Sequence, residues 1–147
     1  MMQFRDEFFF LSNFYPQPIV FDGEEWETSE HAYQAAKTLV LTEREEIYAA
    51  KSPGEAKRLG KPKEDGGIVT LRPDWKKVRV GIMSDIIDVK FAIPELEDML
   101  VSTGNLTLIE GNWWKDTFWG VDIHTGIGQN MLGKILMKSR AEKMFFS

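Results

Sequence analysis

Glu30, Tyr33, Gln34 and Lys37 stand at i, i+3, i+4 and i+7, a spacing that lines a carboxylate, a phenol, an amide and an amine along one helix face. A carboxylate in a first helical turn lies near free backbone N–H groups and is held rigidly there, and a lysine two turns on reaches the same side. Carboxylates move protons, and a lysine of lowered pKa attacks electrophilic carbon. A solvated polar face is the ordinary reading of the same pattern. A second group is Asn112-Trp113-Trp114-Lys115-Asp116-Thr117-Phe118-Trp119-Gly120. Its rings suit a wall that stacks on a planar group while the Asp116 carboxylate handles a proton; rings of this kind equally pin a loop onto a core. Trp75 and Arg79, one turn apart, form a third group, in which the guanidinium suits a phosphate or a carboxylate. His31 and His124 are too sparse among the scattered acids for a metal site, and neither a metal nor another cofactor is expected.

These residues need elements to hold them. Asp22-Gly23 between Ile19-Val20-Phe21 and Glu24-Glu25-Trp26 predicts a hairpin. Thr28 or Ser29 caps a helix over residues 30–41, in which Ala32, Ala36, Leu39 and Val40 supply packing. Thr42 with Glu45 reads as a capping box for a helix over 43–51, and Ser52-Pro53-Gly54-Glu55 starts another that Gly60 stops. Residues 61–72 read as a loop around Gly66-Gly67. Trp75, Val78, Ile82, Ile86 and Val89 recur at helical spacing over 74–91, which predicts a central buried helix. Pro94 opens a helix ending at Thr103-Gly104, residues 106–109 read as a short strand, and 110–128 as an irregular aromatic loop. A last amphipathic helix over 129–140 turns Leu132, Ile135 and Leu136 inward. The expected fold is α+β, a mostly helical single domain across 1–147 with a small N-terminal sheet.

Composition narrows the classes. With 18 Lys and Arg against 23 Asp and Glu, the net charge of −5 disfavours a protein that tracks nucleic-acid phosphates along its surface, leaving room only for a local basic groove. The chain has no cysteine, which excludes disulfides, thiolate metal sites and thiol catalysis, and fits a reducing, cytoplasmic setting. No apolar run approaches the roughly 20 residues that cross a bilayer, and no signal peptide is visible, so no membrane association is expected. No G-x-S-x-G, Walker or dinucleotide fingerprint occurs, and Gly126-Ile127-Gly128 alone is weak evidence of phosphate binding. From the residues alone the reading is a pocket with carboxylates, a lysine and stacking rings.

Longer motifs add to that. Phe10-Leu11-Ser12-Asn13-Phe14-Tyr15-Pro16 followed by Trp26-Glu27-Thr28-Ser29-Glu30-His31-Ala32-Tyr33-Gln34-Ala35-Ala36-Lys37 resembles the opening of the NADAR (YbiA-like) family. Ser52 to Gly60, Leu71-Arg72-Pro73-Asp74-Trp75 with Arg79, Met83 and Lys90-Phe91, then Asp116, Trp119-Gly120 and Gln129-Asn130-Met131-Leu132-Gly133 continue the resemblance over nearly the full chain. The stretch from Asn112 to Asp116 is bulkier than the short form found in some members.

The resemblance implies N-glycosidase chemistry on a bond between ribose C1′ and an exocyclic amine. The preferred reading is removal of ADP-ribose from guanine, in nucleosides or in ADP-ribosylated DNA or RNA, with hydrolysis of a ribosylaminopyrimidine phosphate of riboflavin biosynthesis as the alternative. The first fits pairing with an ADP-ribosyltransferase toxin. Glu30, Lys37 and Asp116 are the expected catalytic groups. The residues admit acid–base hydrolysis by Glu30 and Asp116, or an imine exchange onto an unprotonated Lys37, and the lysine route explains why a lysine shares the Glu30 face. Asn13, Phe14, Tyr15, Trp75, Arg79, Asn112, Trp119 and Asn130 are the expected substrate-binding residues. A non-catalytic ADP-ribose-binding module is the rival class.

Overall fold

Asp22 and Gly23, at φ 54° and 80°, reverse the chain between β1 (Ile19–Phe21) and β2 (Glu24–Trp26), which pair antiparallel with Ile19 opposite Trp26. Both of those side chains are buried, and Trp26 Nε1 closes the hairpin on Phe21 O at 2.9 Å. The computed structural model describes residues 1–146, which form two compact units, residues 13–90 and residues 1–12 with 91 onward. The fold is α+β and mostly helical.

In the unit of residues 13–90, α1 (Ser29–Ala35) starts at Thr28, whose hydroxyl accepts from His31 N–H at 3.2 Å. All seven of its residues are buried, because α2 (Leu41–Tyr48), α3 (Pro53–Leu59) and α4 (Trp75–Lys90) pack around it. The face that carries Glu30 and Gln34 is therefore not solvated. The helix is also shorter than the sequence suggested. Lys37 lies past the Ala36 cap, and Thr38 redirects the chain by accepting from Val40 N–H at 3.0 Å while donating to Glu43 Oε1 at 2.8 Å. That arrangement starts α2 at Leu41, and Thr42 is not its cap. In contrast, Ser52 caps α3 through Glu55 N–H at 3.1 Å, Glu55 Oε2 returns to Lys51 N–H at 2.8 Å, and Gly60 ends the helix. The buried stripe of α4 is Trp75, Met83, Ile86, Ile87 and Lys90. Val78, Ile82 and Val89, expected inward, are half-exposed. Along residues 61–72, Thr70 donates its N–H and its hydroxyl to Glu43, at 2.6 and 2.9 Å.

In the other unit, α5 (Pro94–Ser102) packs on α6 (Met131–Phe146), and Phe10, in a 3-10 turn over Asp6–Leu11, meets Phe91 edge-on with centroids 6.4 Å apart. Leu132, Ile135 and Leu136 are buried as their spacing predicts. The expected strand at 106–109 does not form. Leu108 O accepts instead from the Asn130 side-chain amide at 2.9 Å, and a second small sheet pairs β3 (Gly111–Asn112) in parallel with β4 (Val121–Asp122). Among the described residues no helix is long and apolar enough to cross a membrane.

Candidate active site

The first turn of α1 is locked on several sides. Glu30 N–H donates to Asn13 O at 3.1 Å, Ser29 Oγ donates to Asn13 Oδ1 at 3.0 Å, and Asn13 Nδ2 faces Met83 Sδ at 3.5 Å. His31, wholly buried, lies between Thr28 Oγ1 at 2.8 Å and Ala50 O at 3.0 Å. A carbonyl only accepts, so Nε2 donates to Ala50 O. This histidine is a strut for the helix start.

On that strut, Glu30 is 8% exposed and its Oε2 accepts from Gln34 Nε2 at 2.6 Å. Burial raises its carboxyl pKa above the ordinary value, and the Gln34 bond and the charges of Lys57, Lys37 and His31 offset this only in part. A carboxyl whose protonated form is favoured in this way is suited to act as a general acid.

Lys37 comes back to the same side beyond the helix end. Its Nζ donates to Gly60 O at 3.3 Å and stands 5.6 Å over the Tyr33 ring, which in turn packs on Trp75 with centroids 5.4 Å apart. Burial lowers its pKa, Glu30 opposes the shift, and Lys57 adds to it. The backbone around Lys37 is clamped. Arg72 N–H donates to Lys37 O at 2.8 Å, while its guanidinium reaches Ala36 O at 3.4 Å and is fixed by Asp74 at 2.6 and 3.1 Å. Thus α1 and the residue just past its end hold a carboxyl biased toward its acid form and an amine biased toward its free base.

Two of the expected ring residues carry lysines. Lys57 Nζ sits 5.9 Å from the Phe14 centroid, and Lys90 Nζ 5.6 Å from the Tyr15 centroid. Lys90 is 1% exposed, and burial pushes its pKa down to about 7. Arg79 lies one turn after Trp75 on α4 and is half-exposed.

The unit of residues 1–12 and 91 onward holds the rest of the expected set. Asn112 is fully buried. Its Oδ1 accepts from Asp116 N–H at 2.9 Å, and its Nδ2 donates to Asp116 O at 2.8 Å and Glu110 Oε2 at 3.1 Å. Asp116 Oδ1 accepts from the N–H groups of Phe118 and Trp119 at 3.0 and 2.9 Å, and Trp119 meets Phe118 edge-on at 4.8 Å. Asn130, at φ 52°, accepts from Glu110 N–H at 2.9 Å as well as donating to Leu108 O. Both asparagine amides therefore serve the main chain. Trp113 and Trp114 form an edge-on pair, 65% and 46% exposed. A cleft of about 350 Å³ in this unit is lined by residues such as Gln3, Arg5 and Leu106 and by none of the expected site residues.

The structure thus brings Asn13, Phe14, Tyr15, Glu30, Lys37, Trp75 and Arg79 into one unit and Asn112, Asp116, Trp119 and Asn130 into the other. Three further groups belong to the α1–α3 arrangement: Gln34, Lys57 and Gly60. Gln34 was signalled by its i+4 spacing from Glu30. Gly60 was marked only as the end of α3 and Lys57 only as part of the Ser52 to Gly60 block, because their partners in the site lie more than 20 residues away in the chain.

Comparison with known proteins bears on what such a site does. The model of the NADAR domain matches residues 2–143. The chain is 37% identical over 138 residues to the N-glycosidase YbiA of Escherichia coli, a match covering 93% of this chain and 82% of that protein. It is also 37% identical over 149 residues to a chloroplastic riboflavin biosynthesis protein, PYRR, of Zea mays, of whose length it spans only 24%. The solved NMR structure of Escherichia coli YbiA superposes with a TM-score of 0.84 at 35% identity, covering 99% of this chain and 83% of that one.

Proposed function

The chain belongs to the NADAR family and is a hydrolase of N-glycosyl bonds, and we propose that the bond it cuts joins ribose C1′ to an exocyclic amine, with ADP-ribosylated guanine as the preferred substrate. The observation that carries the chemistry is a desolvated Glu30 carboxyl in the first turn of α1 and a desolvated Lys37 amine just past the end of that helix, each acting on the other's charge. The lone pair of the exocyclic nitrogen opens the ribose ring, and Glu30 gives its proton to the departing ring oxygen. The Lys37 amine adds to the resulting C1′ imine, and the base leaves as a neutral amine carrying the proton that lysine loses. Water then hydrolyses the lysine Schiff base with Glu30 as general base, which frees the sugar and restores both residues.

Substrate size is read from charge. ADP-ribose carries two phosphates, and Arg58 and Lys61, exposed at the C-terminal end of α3, offer two cations beside the carbonyl that holds Lys37. A second reading has an observation of its own. The Zea mays relative is named for riboflavin biosynthesis, which favours a ribosylaminopyrimidine phosphate.

A head-to-head assay separates them. The ratio of kcat/KM for ADP-ribosylated guanosine over the ribosylaminopyrimidine phosphate should exceed one, and a ratio far below one overturns the preference. Borohydride added during turnover should leave a sugar fixed on Lys37. No adduct, together with an active Lys37→Arg variant, would remove the Schiff-base route in favour of acid–base hydrolysis.

A further inference from the structure

We propose that Glu43 is a positioning residue for Lys37: its carboxylate ties together the two stretches of chain that hold the lysine backbone, residues 36–38 and 70–72. The catalytic purpose of the tie rests on the reading of Lys37 as nucleophile; the test of where the amine stands does not.

Lys37 lies past the Ala36 cap of α1, so the course of its backbone is set by contacts beyond the helix. Two of them converge on Glu43. On one side Thr38, the next residue, donates its hydroxyl to Glu43 Oε1 at 2.8 Å. On the other, Thr70 donates its N–H to the same oxygen at 2.6 Å and its hydroxyl to Oε2 at 2.9 Å. Two residues later the Arg72 N–H donates to Lys37 O at 2.8 Å, and its guanidinium reaches Ala36 O at 3.4 Å. A single buried carboxylate is thereby bonded to both stretches through charge-assisted hydrogen bonds. Arg44, the next residue on α2, adds its Nε–H on Thr38 O at 2.7 Å.

Glu43 is released from the ordinary work of its position. It stands in the first turn of α2, where a glutamate commonly returns to the N–H of the capping residue. Here the Val40 N–H is taken by Thr38 Oγ1 at 3.0 Å, and the carboxylate reaches instead to Thr70, 27 positions along the chain. Burial alone would raise its pKa, yet the bonds from Thr70 and Thr38 and the charge of Lys63, 3.5 Å away, hold it below the ordinary carboxylate value. It therefore stays an anion that accepts from all three donors. The outcome at Lys37 is geometric: with its backbone pinned on both sides, Nζ is kept in its buried place against Gly60 O.

The experiment reads the amine directly, by reductive alkylation of the intact protein with acetaldehyde and cyanoborohydride across pH and peptide mass mapping of Lys37. Beside it, kcat and KM are measured on ADP-ribosylated guanosine, per folded molecule. In Glu43→Ala the Lys37 midpoint should rise toward that of an exposed lysine, because burial is what lowers it. The sign separates position from charge, since loss of a nearby carboxylate charge alone would move the midpoint down. In the same variant kcat should fall about 100-fold with KM changed by less than about twofold. Thr38→Val cuts one arm only and serves if Glu43→Ala does not fold; it should shift both readings the same way by less. Glu43→Gln keeps an acceptor oxygen for Thr38 and for the Thr70 N–H, and should restore the midpoint and most of kcat. Native midpoints in Glu43→Ala and Thr38→Val, a downward shift, or Gln behaving like Ala overturn the proposal, whatever happens to turnover. A raised midpoint with native turnover would instead overturn Lys37 as nucleophile and leave Glu43 in its positioning role.

Discussion

Gln34 Nε2 donates to Glu30 Oε2 at 2.6 Å along α1, while Gln34 Oε1, buried and without a hydrogen-bond partner, packs against Gly60. An unpaired buried amide oxygen costs on the order of 1–3 kcal/mol. The arrangement is tolerated because the same amide fixes the carboxyl in one place, and because glycine at 60 leaves room for it. Stability is set against precision at this site.

Glu30→Gln should lower kcat by roughly 100-fold or more, since it removes a proton donor while keeping shape. Its effect on stability has a definite sign. The folded-state pKa of Glu30 is raised, so its contribution is full below the unfolded value of about 4.3 and lost as pH rises through the folded value. Gln suffers no such loss, so the variant should gain on the parent in urea melts as pH rises from 4 to 8. Near-native turnover in the folded variant would take Glu30 out of the mechanism.

Gly60→Ala should be felt at α1. A Cβ there collides with Gln34 Oε1 and lies 2.9 Å from Gln34 Cβ, so the variant should lose about 1–3 kcal/mol and much of its activity. In Gly60→Ala with Gln34→Ala, part of the stability should return, but activity should not, because Glu30 has lost its amide partner. Recovery of both would show that Gln34 does nothing for Glu30.

Lys90 offers a pH signature separate from catalysis. Its folded pKa of about 7 lies below the unfolded value of about 10.4, so between these the unfolded chain binds more protons and stability rises with pH. Below about 7 the penalty of burying the charge is constant. Lys90→Met should abolish the slope and be more stable at pH 6, by on the order of a few kcal/mol. Parallel stability curves for the two proteins between pH 7 and 10 would contradict this.

Asn112→Ala should loosen the aromatic loop. It strips the hydrogen bonds from both the N–H and the carbonyl of Asp116, and chymotrypsin should then cut at Trp113, Trp114 or Phe118 several times faster. Asp116→Asn should do less, because an amide oxygen can still accept from Phe118 and Trp119 N–H. Native cleavage rates in Asn112→Ala would mean that the loop is held by other contacts.

Elements governed by neighbours within a few residues were readable in advance. Asp22-Gly23 makes the hairpin, Ser52 and Glu55 cap α3, Pro94 opens α5, and Leu132, Ile135 and Leu136 turn inward on α6, each because the forces involved act over one turn. Gln34 was legible as the neighbour of Glu30 for the same reason. The end of α1 was not, since Thr38 is drawn to Glu43 of another helix; nor was the strand expected at 106–109, where the Asn130 amide takes the carbonyl that a strand partner would need.

What the sequence by itself determined is the set of reactive groups and their local spacing: a carboxylate one turn from an amide and two from an amine. What only the tertiary structure decided is their chemical state. Packing α2, α3 and α4 around α1 removes water from Glu30 and Lys37, and α3 brings in Lys57 and the Gly60 carbonyl from a distant stretch of chain. Desolvation and charge proximity depend on distances through space, and these do not exist until the helices pack.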